Sequence, residues 1–366
     1  MQYRGKYPVF DLSKVRTYPL KIRPNKVELG DFVNTKQLAA QAQRPCEGKW
    51  FRDGLPGKGP GQLAGLKELA DIIVANYRAG RPVAVLSGAH MIKNGQIPII
   101  IDLIERGVVT SYSTNMAGAI HSFELALMGS SSESVRDSLP TGDFGMAFET
   151  GAYLNETIRA GFGQGLGLGE ALGRLFCDGA FRRQVIDACL AGRTDQAEYF
   201  RPYDGFAHAD SCVFAAAYRK GIPAMVHASM GTDIIDQQPG FDGQAKGACS
   251  GADFLMFCQQ MCRFTQGGVI LNIGTAIMGP EVVLKAVSMA ANVGCKPDKL
   301  VTGDFDVRPF VFDDQLRDET QHYYYLRDQK SIATRIPKVF GGTGYYFQGL
   351  HEETLAALYQ LIVKAL

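Results

Sequence analysis

The stretch HYYYLRDQKSIATR, residues 322–335, sets a single lysine, Lys330, after three consecutive tyrosines, Tyr323, Tyr324 and Tyr325, and between Arg327 and Arg335. A lysine amine attacks carbon only when uncharged, and desolvation or a neighbouring positive charge brings it to that state. Arg327 and Arg335 supply such a charge if they face it. Upstream lie four acids, Asp313, Asp314, Asp318 and Glu319. The same residues also read as a solvated acidic loop, packing tyrosines and a surface lysine, since lysine is mostly exposed. If the tyrosines form a strand, alternation lets at most two of the three rings share a face. Both readings stand at the level of sequence.

A second set of residues repeats along the chain. In PVAVLSGAHMIKNGQIPIIIDLIERG an apolar run ends in Ser87, Gly88 and His90, and a helical pattern with Pro98 near its start follows. In GVVTSYSTNMAGAIHSFELALMG the run ends in Thr114, Asn115, Ala117 and Gly118. In GGVILNIGTAIMGPEVVLKAVSMAANVG it ends in Gly274 and Thr275, before a helix with Pro280 in its first turn and Gly294 beyond its end. GIPAMVHASMGTDI, with Thr232 and Asp233, and DKLVTGDFD, with Gly303, Asp304 and Asp306, supply a fourth and a fifth strand. Runs that are apolar throughout and alternate with helices predict a parallel sheet covered on both faces, an α/β doubly wound domain. Ligands of such sheets lie beyond the carboxyl ends of the strands, where helix N-termini present free N–H groups to anions. Each loop taken singly is also what a tight turn requires; four together favour a nucleotide. One further glycine run, GFGQGLGLG at 161–169, has no G-x-G-x-x-G register and follows a helical pattern, so it reads as a connector or hinge.

The chain of 366 residues is 46% hydrophobic, enough for a substantial core. Its 38 basic and 37 acidic residues nearly cancel, so no global field calls for nucleic acid or an anionic membrane. Apolar runs such as IPIII at 97–101 fall far short of the roughly 18 residues of a membrane span. The amino terminus lacks a basic-then-apolar signal pattern, and a cytoplasmic location is the expectation. The eight cysteines form no C-x-x-C pair and no Cys/His grouping at zinc spacing; Cys258 and Cys262 share a helical face as small apolar residues. His90, His121 and His227 come from separate strands with no carboxylate at ligand spacing, so they suit hydrogen bonding or substrate contact and no metal is expected. Residues 1–60, rich in Lys, Arg, Pro and Gly, read as an extended arm, and residues 61–366 as one domain.

From about residue 80 onward the order of segments resembles the deoxyhypusine synthase family, which includes homospermidine-synthase-like members. VLSGAHMIKNGQI resembles its first nucleotide loop, TNMAGAIHSFE its Ala-Gly-Gly loop, GIPAMVHASMGTDI its strand and acidic turn, GGVILNIGTAIMG its glycine-tipped strand, and PKVFGGTGYYF its last strand. The resemblance implies a Rossmann-like, mostly parallel sheet with bound NAD. It implies an aminoalkyl transferase: a polyamine-like small-molecule amine is oxidised, carried as an imine on a lysine, and passed to an acceptor that the resemblance leaves open, a protein among the choices. Lys330, eight positions before Lys338, would be the carrier. Ser87, Gly88, His90, Thr114, Asn115, Ala117, Gly118, Thr232, Asp233, Gly274, Thr275, Gly303 and Asp304 would line the cofactor, with Asp306, Glu319, Tyr324 and His121 holding the amine. It also implies a homo-oligomer, a tetramer in the family. Where the family has a tryptophan two residues before its lysine, this chain has Asp328, and His121 and Ser122 stand in place of an acidic pair. Two other readings fit the same loops: an NAD-dependent amine oxidoreductase or hydrolase of the same fold, and a non-catalytic nucleotide-binding sensor or scaffold.

Overall fold

The computed structural model describes residues 4–41, 61–191, 205–309 and 326–366. Glu319 and Tyr324, with Asp313, Asp314, Asp318, Tyr323 and Tyr325, lie outside the described residues. The described strands are β1 (Val27–Glu28), β2 (Val83–Ser87), β3 (Ser111–Asn115), β4 (Ser130–Ser131), β5 (Ala224–His227), β6 (Gly268–Ile273), β7 (Leu300–Asp306) and β8 (Gly344–Gln348). The chain divides into two compact units, one of Met1–Gly30 with Asn115–Phe254, the other of Asp31–Thr114 with Leu255–Leu366. The sequence alone divides the chain once, at residue 60.

The second unit is built on a parallel run of strands in the order β3-β2-β6-β7-β8. Every residue of β2 and β6 is buried, which is why both read as unbroken apolar runs with no alternation. From β2 the chain moves outward to β3; from β6 it moves the other way to β7 and β8. Right-handed crossovers in opposite directions place their helices on opposite faces of the sheet, so the unit is a doubly wound, Rossmann-like α/β fold. Helix Gly61–Arg78 packs on β2, β6 and β8 and against the terminal helix His351–Ala365, which also touches Ile97–Glu105. There Tyr359 Oη donates to Asp102 at 2.7 Å, fastening the last helix to the first crossover. Helix Met278–Asn292 follows β6 and packs against the segment Gln329–Arg335. Cys258, one of the thiols read as apolar, is buried with its Sγ 3.7 Å from Met289 Sδ.

The first unit is mostly helical. Helices Phe148–Gly163, Leu168–Cys177, Gly179–Leu190 and Val213–Lys220 pack on one another, and Leu168–Cys177 lies against β5. The glycine run at 161–169 joins the first two helices, and its last member is a close-packing site: a Cβ at Gly169 would sit 1.9 Å from the Ala224 carbonyl oxygen. Asp253, wholly buried, stitches the same corner by accepting from Gly169 N at 2.9 Å and Val226 N at 2.7 Å, while its Oδ1 has no hydrogen-bond partner. Burial pushes this carboxyl up to about 7 from 3.8. The folded state therefore holds a proton that the unfolded chain releases, and stability falls as pH rises from about 4 to about 7. Asp253→Asn keeps an oxygen for both N–H groups and has no proton to lose. Relative to the parent, its denaturant midpoint is expected to gain as pH rises through that window, by up to about 1.4 kcal/mol per pH unit. Midpoints that stay parallel across the window would show Asp253 to be ionised.

The described amino-terminal segment has 3-10 turns at Leu12–Lys14, Leu20–Ile22 and Leu29–Asp31, the short strand β1 and helix Thr35–Gln41. Up to Gly30 it belongs to the first unit and is pinned there at several points. Tyr18 exchanges backbone bonds with Met146 and Phe148, and Leu20 N donates to Glu149 at 2.6 Å. Arg23 enters the interior to meet Glu124.

Candidate functional site

The residues singled out by sequence separate between the two units. Ser87, Gly88, His90, Thr114, Gly274, Thr275, Gly303, Asp304, Asp306 and Lys330 belong to the second unit; Asn115, Ala117, Gly118, His121, Thr232 and Asp233 belong to the first. In the first unit these residues have structural work. Asn115 caps helix Met116–Met128, its side chain accepting from Gly118 N at 2.9 Å; Ala117 is in the first turn of that helix. His121 Nδ1 lies 2.7 Å from Ser131 Oγ, which donates to the buried Glu124. Asp233 is fastened by Lys246, a fully buried lysine whose Nζ also meets Asp236 and the Ser229 carbonyl, so the loop after β5 is held by a buried cation, with Thr232 exposed beside it.

In the second unit the loops after β2 and β6 meet with no room between them. Gly88 N donates to the Ile273 carbonyl at 2.9 Å, and a Cβ at Gly88 would lie 2.2 Å from the Gly274 carbonyl oxygen. Gly274 has φ of +60°, and a Cβ there would meet His351 Cε1 at 2.5 Å. Two glycines thus let two backbones touch where β2 and β6 part, the topological switch point of the sheet. Much of the small polar chemistry at these loops is spent locally. Ser87 Oγ pairs with Tyr112 Oη at 2.7 Å, and Thr114 Oγ1 donates to the Ser87 carbonyl at 2.8 Å. Thr275 Oγ1 accepts from Gly279 N at 3.0 Å, closing the turn into helix Met278–Asn292. Gly303 faces helix Gly61–Arg78, where a Cβ would meet Leu69 at 2.8 Å, so its part is packing. His90 is exposed after β2, and burial, then Lys93, lower its pKa.

The polar centre of the unit is at the carboxyl end of β7. Asp304, Asp306 and Arg308 alternate along the chain, and the Arg308 guanidinium binds Asp306 through Nε at 3.0 Å and Nη2 at 2.7 Å and also reaches Asp328. Asp304 is wholly buried; its Oδ1 accepts from Asn272 Nδ2 at 2.8 Å. The same Nδ2 donates to the Thr275 carbonyl, tying β7 to the loop after β6. Burial, and next the Asp328 charge, hold the Asp304 carboxyl well above the usual carboxylate range; burial also raises Asp328, against the pull of Arg308. Gln329 Nε2 donates to Tyr346 Oη at 3.0 Å, and Tyr346 Oη donates to the Arg308 carbonyl at 2.7 Å. Five buried polar atoms here have no hydrogen-bond partner: Asn272 Oδ1, Asp304 Oδ2, Asp328 Oδ1, Gln329 Oε1 and His351 Nδ1. Buried polar atoms of native proteins are mostly bonded, so a group of them at the strand ends makes this place a candidate site.

Lys330 follows directly. It is 4% exposed, on a π-helical segment Gln329–Arg335 that lies on β7 and β8, with Thr302 Oγ1 donating to the Ile332 carbonyl at 2.6 Å. π-helical turns are rare and frequent at functional sites. Arg327 pairs with Glu281 and is half-exposed. Sequence reasoning missed Asn272, Arg308, Asp328, Gln329, Tyr346 and His351. One signal was present: in DFDVR, charged residues recur at alternate positions on a strand otherwise apolar. Among the described residues no grouping of three His, Cys, Asp or Glu could hold a metal ion, and no helix is long and apolar enough to cross a membrane.

No protein-family model matches the chain, and no curated protein matches it. Solved structures do. AgrE in its ternary complex with ornithine and NAD+ is similar over 85% of this chain at 15% identity, with a TM-score of 0.46. ArgZ, an arginine dihydrolase from the ornithine-ammonia cycle in cyanobacteria, is similar over 84% at 14% identity and a TM-score of 0.43. A conserved putative LOR/SDH protein from Methanococcus maripaludis S2 is similar over 84% at 13% identity and a TM-score of 0.41. The chain spans about a third of AgrE and of ArgZ, 34% and 32%, and 71% of the archaeal protein. Likeness at this level transfers no activity.

These findings correct the deoxyhypusine synthase resemblance: the solved structures found are ornithine- and arginine-handling proteins and a LOR/SDH protein. The alkyl-transferase activity falls with it, and the polyamine substrate and the tetramer lose their basis. The physical reason lies in the motifs. A short apolar strand followed by small polar residues is what any parallel α/β sheet needs at a strand end, so five such matches in order register the architecture and not the family. The position of the family's tryptophan supplies the counter-signal, since Asp328 there is an ion-pair partner of Arg308.

Proposed function

We propose that the protein is an NAD-dependent oxidoreductase acting on a small amine or amino acid, with the dinucleotide at the switch point of the second unit. The observation that carries this reading is the contact of the Gly88 and Gly274 loops at the parting of β2 and β6, the place where open α/β sheets take nucleotides. The local structure suits such a group: two glycines bring the loops after β2 and β6 together at the parting of the strands, and the 15-residue helix Met278–Asn292 begins just beyond Gly274. The tip of β3 carries Thr114 and no carboxylate to select a ribose 2′-hydroxyl, so NAD and NADP both belong in the test.

When bound, the dinucleotide would supply a hydride acceptor. The chain's own residues would do the rest. Asp306 and Asp328, both bonded to the Arg308 guanidinium, suit a substrate ammonium, and charge-assisted bonds of this kind are the strong ones. Lys330, buried two residues from Asp328, suits the carboxylate of an amino acid. The close-packed loops and the Gln329–Tyr346 bond keep water from the strand ends.

Titration calorimetry with NAD+, NADH, NADP+ and NADPH, followed by spectrophotometry with a panel of amines and diamino acids, tests the proposal. Binding in about the 1 µM–1 mM range with amine-dependent formation of reduced cofactor is expected. Absence of binding by all four forms, with the circular dichroism of a folded protein, would overturn it. Binding without turnover would favour the nucleotide-binding sensor.

A further inference from the structure

Three carboxyl groups and one guanidinium gather at the carboxyl end of β7. Arg308 bridges Asp306 and Asp328. Asp304 stands outside that bridge: its Oδ1 takes a neutral amide bond from Asn272, and its Oδ2 has no hydrogen-bond partner. Asp328 likewise has Oδ2 on Arg308 and Oδ1 without a partner. Both residues are 0% exposed. Were all three acids ionised, Arg308 would leave two negative charges uncompensated inside the protein, and an ammonium on Lys330 would still leave one. Interiors do not hold such charge; a group protonates instead.

We infer that Asp304 is a neutral carboxylic acid at physiological pH, and that with the Arg308-clamped Asp328 carboxylate it forms a buried acid pair holding one proton. The assignment of the proton to Asp304 follows from the partners, since Asp328 and Asp306 have a cation and Asp304 has an amide. The charged and titratable groups that act on Asp304 are Asp328, Asp306 and Arg308, with Tyr346, whose phenol is raised by burial and by these acids. His90 and His351 act on Asp306, and burial lowers both. Asp304 thus turns from an anion, as a strand-tip aspartate would be read, into a neutral acid whose Oδ2 can carry a proton within reach of the Asp328 charge. In the oxidoreductase proposed above, and resting on that reading, the pair would be the store that takes up or returns the proton of the amine.

The proton is read on the unliganded full chain, so its outcome is separate from dinucleotide binding. Asp304→Asn keeps an oxygen for Asn272 and has no proton to lose. Infrared difference spectra, parent minus variant at neutral pH, are expected to show one carboxylic acid C=O stretch lost. A raised acid loses stabilisation as pH rises above the unfolded value, so the folding equilibrium constant of the parent should fall relative to the variant by up to about tenfold per pH unit above about pH 4. Asp253 is present in both proteins and cancels. A difference spectrum showing a lost carboxylate, with parallel stability curves, would overturn the inference. Should the variant fail to fold, carbon-13 carboxyl resonances of the parent decide the matter. At neutral pH, an aspartate with a protonated shift that is not removed by Asp253→Asn supports the pair, and a set in which Asp253 alone is protonated ends it.

Discussion

Replacing Arg23 by methionine is expected to cost the first unit about 3–5 kcal/mol of stability, the usual result of removing one partner of a buried ion pair. The Arg23 and Glu124 side chains are 3% and 1% exposed and meet at 2.5 Å. Glu124 also accepts from Ser131 Oγ at 2.6 Å and Thr150 Oγ1 at 2.7 Å, so three donors converge on one carboxylate from the amino-terminal segment and two other parts of the unit. Burial works to raise the Glu124 pKa, and the charge and bond of Arg23 overcome it, leaving the carboxyl below its ordinary range. The parent therefore gains stability from this group above its unfolded pKa and loses it as pH falls through the lower folded value. With Arg23 gone the balance reverses: the buried carboxyl is raised, and stability declines as pH increases. Urea unfolding followed at about pH 5 and about pH 8 reads both the size and the change of sign. The pair Arg23→Met with Glu124→Gln should recover part of the loss, because Glu124 is then no longer a stranded charge. A single variant within about 1 kcal/mol of the parent would mean that water reaches Glu124.

Gly88→Ala is expected to weaken dinucleotide binding by about 100-fold, the effect of displacing a binding loop by about an ångström. The added Cβ would lie 2.2 Å from the Gly274 carbonyl oxygen and 3.1 Å from its carbon, and these are backbone atoms that no rotamer change can move aside. Gly274 cannot retreat freely, since its N donates to the Phe305 carbonyl at 3.0 Å and the His351 ring fills the space beside it that a Cβ would take. The loops after β2 and β6 must part. Gly251→Ala is the control: it sits in helix Gly243–Met261 with nothing within 4 Å of a new Cβ, and alanine there should stabilise by roughly 0.5–1 kcal/mol with binding unchanged. Calorimetric titration of both variants with NAD+, beside their melting temperatures, separates a displaced loop from a damaged fold. Equal affinity in Gly88→Ala and in the parent would remove the switch point from the proposed site.

The parallel sheet was legible because burial on both faces leaves a local trace: β2 and β6 are apolar at nearly every position, and helical periodicity resumes after each. The loops that end these strands were legible for the same reason. Their chemistry was not. Ser87, Thr114, Asn115 and Thr275 look like ligand-facing residues in sequence, yet their side chains bond Tyr112, the Ser87 carbonyl, Gly118 and Gly279. A hydroxyl beside a turn serves the turn first, because an unpaired backbone amide in the interior costs more than an unused side chain at the surface.

By itself, then, the sequence determined the architecture: hydrophobic periodicity and turn residues act over a few positions, and they dictate strands, helices and their alternation. It also placed Lys330 in a segment worth attention. Only the tertiary structure decided that Lys330 is buried, that Asp328 from one segment and Asp306 from another share Arg308, and that Asn272 and Asp304 meet across adjacent strands. It alone divided the loop residues between two units, setting Asp233 on Lys246 and Asp304 within reach of the Asp328 charge. The physical reason is that charge and proton affinity are set by what surrounds a group in space. Neighbours brought together from 20 and 32 positions away in the chain, as Arg308 is to Asp328 and Asn272 to Asp304, leave no periodic signal along it.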